Sequence, residues 1–156
     1  MVWGEAVRNV LLTTAMVMAA TAPAAASDKA DVMEVVQHWA DAFARGSFNT
    51  DISPCSEDAV VIDDLQPHVW QGPRACTEWF RAFEAWASTA AVRNAAIKLG
   101  TIRHLEFNSG FAYLVAPVTL SYIKAGKPAN FPGIITMTFR KEESGWRVSG
   151  LAWADR

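Results

Sequence analysis

The sequence predicts an α+β domain: a cone-shaped, curved, mostly antiparallel sheet wrapped around an N-terminal helix and a second long helix, with a pocket between them. Three observations carry this. Two segments of helical period come first, the apolar period falls to two from Val92 onward, and turn signals cut that second half into consecutive hairpins. Helices followed by a long meander exclude a sheet built from alternating strands and helices.

The first helix is written by Val32, Val35, Val36, Trp39 and Phe43, with Glu34, Gln37, Asp41 and Arg45 off that stripe. Ser27 or Asp28 is placed to cap its start and Gly46 to stop it. Residues 48–56 read as a short helix or turn holding Cys55, and Ala59-Val60-Val61-Ile62-Asp63 as a brief β-branched strand. Pro73 suits a helix first turn, and Cys76, Trp79, Phe80, Phe83 and Trp86 give that second helix its stripe to about Ser88. Strand runs follow at about 95–107, 110–124 and 130–141, separated by Asn108-Ser109-Gly110 and Ala125-Gly126-Lys127-Pro128. Glu142-Glu143-Ser144-Gly145 then turns into a last strand from Trp146 to Ala154. Pro117 and Pro132, lacking an amide donor, predict edges or bulges.

Residues 1–27 read as a secretory leader: Arg8, then the apolar run from Val10 to Ala20, then Pro23 breaking the helix before Ala24-Ala25-Ala26-Ser27. The apolar run is shorter than the ~20 residues that span a bilayer. The expectation is an exported protein, periplasmic or secreted, with residues 28–156 as one domain and no membrane association after cleavage. Cys55 and Cys76, the only two cysteines, are expected to pair in that compartment. The net charge of −2, with scattered arginines, excludes a basic nucleic-acid surface, so no nucleic-acid partner is expected. At 51% hydrophobic residues, disorder is excluded as well.

The order of elements resembles the nuclear transport factor two-like superfamily, and within it the SnoaL-like group. Ala42-Phe43-Ala44-Arg45-Gly46-Ser47 looks like the end of the family's first helix. Cys55 to Asp63 looks like its turn, Asp-Ala and strand segment, and Gln71-Gly72-Pro73-Arg74-Ala75 like the opening of its long helix. Phe139-Arg140-Lys141 with Gly145-Trp146-Arg147-Val148 looks like its last hairpin. The resemblance spans roughly residues 30–154 and implies the fold more than the activity, since one fold hosts many functions.

The chemically richest stretch is Asp63-Asp64-Leu65-Gln66-Pro67-His68-Val69-Trp70. Strand alternation turns one of the two aspartates inward. The resemblance to the steroid delta-isomerase branch implies Asp63 as a general base, with His68 as a second catalytic candidate. Trp39 and Met137 stand where that branch places its tyrosine and protonated aspartate, and neither does the same work. Tyr113, Tyr122 or His68 remain as donors. The competing structural reading is a turn capped by aspartate. The catalytic reading expects a carboxylate buried in the pocket and free of local backbone bonds; an Asp63 that is exposed or caps the 64–66 turn removes it. Asp63, Asp64 and His68 match no zinc spacing, His38 reads as solvated and His104 as structural, and no metal and no cofactor are expected.

The reading that follows is a binder of a small apolar molecule. Its pocket is expected to be lined by Trp39, Trp70, Trp79, Phe83, Tyr113, Met137 and Trp153. The alternatives are a cofactor-independent isomerase, dehydratase or cyclase using Asp63, and a dimerisation or scaffold domain that forms a homodimer through the sheet face.

Overall fold

Residues 22–45 and 55–155 are described by the computed structural model of the chain. They form α1 (Ala22–Arg45), β1 (Cys55–Ile62), β2 (Val69–Gln71), α2 (Ala75–Thr89), β3 (Val92–Leu99), β4 (His104–Asn108), β5 (Phe111–Lys124), β6 (Lys127–Glu142) and β7 (Gly145–Asp155). One sheet contains all seven strands in the order β2-β1-β7-β6-β5-β3, with β4 also on β5. Only β1 and β7 run parallel, Val61 opposite Leu151. The α+β architecture expected from the period change is the one observed.

Helix α1 buries Val32, Val36, Trp39 and Phe43, the stripe read from the sequence. Its start departs from expectation. It begins at Ala22, so Pro23 sits in its first turn instead of breaking it, where a missing amide hydrogen costs nothing. Asp28 does not cap. Its carboxylate accepts from Lys141 Nζ at 2.6 Å and Trp146 Nε1 at 3.1 Å, tying the helix to the β6–β7 hairpin. Ser27 reaches only Asp31, at 3.5 Å. Gly46 and residues 48–54 lie outside the described residues, as does most of the proposed leader, while Cys55 opens a strand and not a turn.

The single run expected at 95–107 is two strands. β3 leaves β5 after Leu99, and β4 rejoins it at His104. Pro117 sits opposite the gap, where no amide hydrogen is required of it, and its carbonyl accepts the Gly100 amide at 2.8 Å. Pro132 pairs with Thr119 on β5, just past the end of β7, so its other edge is open. Both prolines therefore occupy the edges their chemistry required. The β4–β5 and β5–β6 hairpins turn on Ser109-Gly110 and Ala125-Gly126, all four at positive φ, the two-residue turn whose twist matches the strands.

Two bulges keep the apolar residues inward. On β7 the register shifts between Thr138 and Phe139 of its partner, so Ser149 is extra. Trp146 and Val148 face the helices before it, and Leu151 and Trp153 after it. A second shift on β3 falls at Asn94, whose φ is +54°. Without these shifts half of each strand would present its apolar side to solvent.

The core is continuous between helices and sheet. Phe43 lies against Phe83 (ring centroids 4.5 Å), Phe80 (5.7 Å), Trp79 (6.1 Å) and Trp39 (6.4 Å). Trp39 and Trp79 stack between α1 and α2. Rings of this size contribute about 1.5–3 kcal/mol each on burial.

A Cys55–Cys76 disulfide joins the start of β1 to α2, with Cα atoms 6.4 Å apart. This is the pairing expected from the sequence. Replacing both cysteines with serine should lower the stability by about 2–5 kcal/mol, read as a fall in the urea midpoint at unchanged slope. An unchanged midpoint would show that the crosslink constrains nothing.

Candidate functional site

A hollow of about 140 Å³ lies where both helices meet the sheet. Its walls come from separate elements: Phe43 of α1; Trp79, Phe83 and Trp86 of α2; Ile97 of β3; Leu120 and Tyr122 of β5; Phe131 of β6; Trp153 and Asp155 of β7. Asp63, Asp64 and Leu65, in the β1–β2 connection, complete it. An aromatic path runs from core to mouth, Phe83 to Trp86 at 5.5 Å, Trp86 to Tyr122 at 5.8 Å, and Tyr122 stacked on Phe131 at 5.6 Å.

The β1–β2 loop closes on itself. The Asp63 amide donates to the His68 carbonyl at 3.1 Å and the His68 amide to the Leu65 carbonyl at 2.7 Å. Alternation along β1 sends Val61 and Asp63 inward, which settles the choice between the two aspartates: Asp63 is half-buried and Asp64 exposed. Asp63 Oδ1 accepts the Leu65 amide at 3.0 Å. The expectation of a carboxylate free of backbone bonds is therefore not met, because a six-residue loop leaves the Leu65 amide without a strand partner and the nearest acceptor takes it.

Burial among rings pushes the Asp63 carboxyl up to about 6. The Leu65 amide and a hydrogen bond from the Trp79 indole oppose that rise, while the neighbouring Asp64 adds to it. Burial wins because neither opposing group carries a full positive charge.

Of the residues expected to line a pocket, Trp79, Phe83 and Trp153 do so, together with Asp63. Trp39 and Met137 are wholly buried in the core, and Trp70 is buried on β2. Tyr113 points to the outer face, 41% exposed, with its ring 5.7 Å from His104. His68 is exposed at φ +78°, its Nδ1 3.2 Å from the Asp63 carbonyl and its Nε2 beside the Gln66 amide. It is not among the lining residues, so the two catalytic candidates are not brought together. The sequence reading missed Phe43, Trp86, Ile97, Leu120, Phe131 and Asp155, and weighed Tyr122 only as a donor. The period-3.6 stripe already contained Phe43 and Trp86. Nothing local marked Asp155 or Phe131, whose placement depends on how the β6 and β7 ends curl.

Among the described residues no group of three or more His, Cys, Asp or Glu is placed to hold a metal ion, and no helix is long and apolar enough to cross a membrane. On the outer face, Phe111 and Tyr113 expose their rings beside each other on β5.

A family profile for the SnoaL-like domain matches residues 32–150. Among solved structures, an NTF2-like protein with a cystatin-like fold from Novosphingobium aromaticivorans superposes with a TM-score of 0.69 at 14% identity, covering 85% of this chain and 84% of that one. An NTF2-like superfamily protein from Salmonella enterica gives 0.68 at 12%, covering 84% and 92%. The hexachlorocyclohexane dehydrochlorinase LinA-type3 from Novosphingobium barchaimii gives 0.68 at 12%, covering 85% and 88%. At these identities the likeness is one of fold. No curated protein matches the chain.

Two outcomes follow from the geometry. Asn at position 63 keeps an acceptor for Leu65 but carries no charge. Because the folded carboxyl titrates near 6, above its ordinary 3.8, it binds a proton more tightly folded than unfolded, and its burial costs stability only once ionised. Asp63→Asn should therefore melt higher than the parent at pH 8, with the difference shrinking as pH falls through 6 toward 4; a pH-independent difference would contradict this. A Cβ on Gly133 would sit 2.7 Å from the Trp153 ring and 2.9 Å from the Ala154 carbonyl oxygen. Gly133→Ala should cost about 1–3 kcal/mol and shift the Trp153 indole resonance, observable in a ¹H–¹⁵N spectrum.

Proposed function

We propose a function from the premise that this chain belongs to the SnoaL-like domain family, whose NTF2-like fold it has. It is an exported protein that binds a small molecule, holding an apolar body about the size of one ring in the hollow where both helices meet the sheet. The observation that carries this reading is the lining: aromatic and aliphatic side chains from both helices and four strands converge on one space of about 140 Å³. Size narrows the ligand. Drug-sized ligands occupy clefts of about 300–1,000 Å³. A dry cavity of about 150 Å³ holds benzene. A single substituted ring fits; a fused four-ring skeleton does not. Export is supported by the leader pattern of residues 1–27 and by the Cys55–Cys76 disulfide, which persists in oxidising compartments.

Titrating p-cresol and toluene into the full chain should give saturable quenching of tryptophan emission, since Trp79, Trp86 and Trp153 line the hollow. Leu120→Trp fills that space and should abolish the quenching without lowering the melting temperature by more than a few degrees. Quenching that does not saturate, or that survives in Leu120→Trp, would overturn the assignment.

A further inference from the structure

The hollow has one chemical asymmetry that size and apolarity do not explain. Three of its lining residues are aspartates, Asp63 and Asp64 from the β1–β2 loop and Asp155 from the end of β7, and none is Lys, Arg or His. The aspartates come from two separate elements that meet only because β1 and β7 run side by side in parallel. Trp79, Trp86 and Trp153 line the same space.

Around the β6–β7 hairpin several anions are matched. Asp58 pairs with Arg140 at 2.7 Å, Asp28 with Lys141 at 2.6 Å, and Glu142 with Arg140 at 3.4 Å. Among the described residues, none of the three aspartates at the hollow has an ion-pair partner. Asp155 accepts the Trp153 indole at 3.2 Å, and Asp63 accepts the Leu65 amide and the Trp79 indole, all of them neutral donors. An arrangement of ring faces with carboxylates and no competing cation attracts positive charge twice over, through the ring quadrupoles and through direct Coulomb attraction.

We propose that the hollow recognises a small organic cation, an ammonium carried on an apolar body of about one ring, with the body among Phe43, Phe83 and Trp86 and the charge at the mouth between Asp63 and Asp155. The inference rests on the reading of the hollow as a binding site and names the ligand's charge. The cation supplies the counter-charge that the protein withholds, which also gives the affinity a pH dependence. The groups facing Asp63 are Asp64 in its own loop, the Trp79 indole from α2, Tyr122 from β5 and Asp155 from β7. None of these lining groups offers a positive charge; the His68 imidazole of the same loop meets the Asp63 backbone carbonyl at 3.2 Å and does not line the hollow. Affinity holds above about pH 6 and falls below it as Asp63 takes up a proton.

The test uses isosteres. Phenyltrimethylammonium and tert-butylbenzene have the same shape and differ in one charge; benzenesulfonate reverses the sign. Each is titrated into the full chain at pH 7.5, followed by tryptophan emission and by the amide resonances of residues 63–65 and 155. The cation should bind about tenfold or more tightly than its neutral isostere, and benzenesulfonate should not bind. Asp155→Asn should weaken the cation several-fold and change tert-butylbenzene far less. Asp63→Asn should weaken it as well and remove the fall below pH 6, giving a second variant in a different element. Equal affinity for the cation and tert-butylbenzene overturns the charge assignment while leaving the hollow a binding site. Binding of neither overturns both.

Discussion

The position of Phe43 between the two helices is the contact on which the rest of the molecule depends. It is the last large side chain on the α1 stripe, and its ring meets four others, two of them tryptophans. Such a ring cannot be shared by two helices unless they approach at a fixed distance, because aromatic pairs hold their centroids within about 4.5–7 Å. The same ring lines the hollow, so one side chain belongs to both the core and the site. Core and site are therefore one packing problem, and the site is the unfilled part of it.

The sheet meets this constraint by bending. Seven strands cannot curl around two helices as a flat ladder, and the relief is local: a bulge on β7 at Ser149, another on β3 at Asn94, and the gap between β3 and β4 opposite Pro117. Each also corrects the facing of the side chains beyond it, so curvature and burial are obtained by the same extra residues. Gly150 permits the β7 bulge, since a Cβ there would lie 2.6 Å from Thr138 Oγ1.

Charge is distributed along the length of the cone. At the end where β6 closes into β7, Arg140, Lys141, Glu142 and Arg147 form a network with Asp58 and Asp28. The Ser56 hydroxyl and Arg140 hold the Asp58 carboxyl below the ordinary carboxylate range, and Lys141 with the Trp146 indole does the same for Asp28. At the opposite end Asp63 is pushed the other way, by burial without a cation. Exposed pairs of the first kind contribute little to stability. Among the described residues, the aspartates that line the hollow have no such ion-pair partner.

Sequence alone determined the elements that depend on neighbours along the chain. The α1 and α2 stripes, the period of two after Val92, the three hairpin turns, the Cys55–Cys76 pair and the edge positions of Pro117 and Pro132 are all local chemistry, and all are in the structure. Local signals misplaced what local signals do not control. The start of α1 moved because Ala24 to Ala26 are strong helix formers, Pro23 is tolerated in a first turn, and Asp28 found a better partner 113 residues away. The site was half legible. Trp79, Phe83, Trp153 and Asp63 could be named because an aromatic stripe and an aspartate leaving a strand are visible in one dimension. Trp39, Trp70 and Met137 went to the core, and Tyr113 and His68 to the outside, although they are the same residue types. Whether a ring fills the core or faces the hollow depends on how far the sheet curls at that point, and curl is a sum over bulges and helix spacing that no window of neighbouring residues contains.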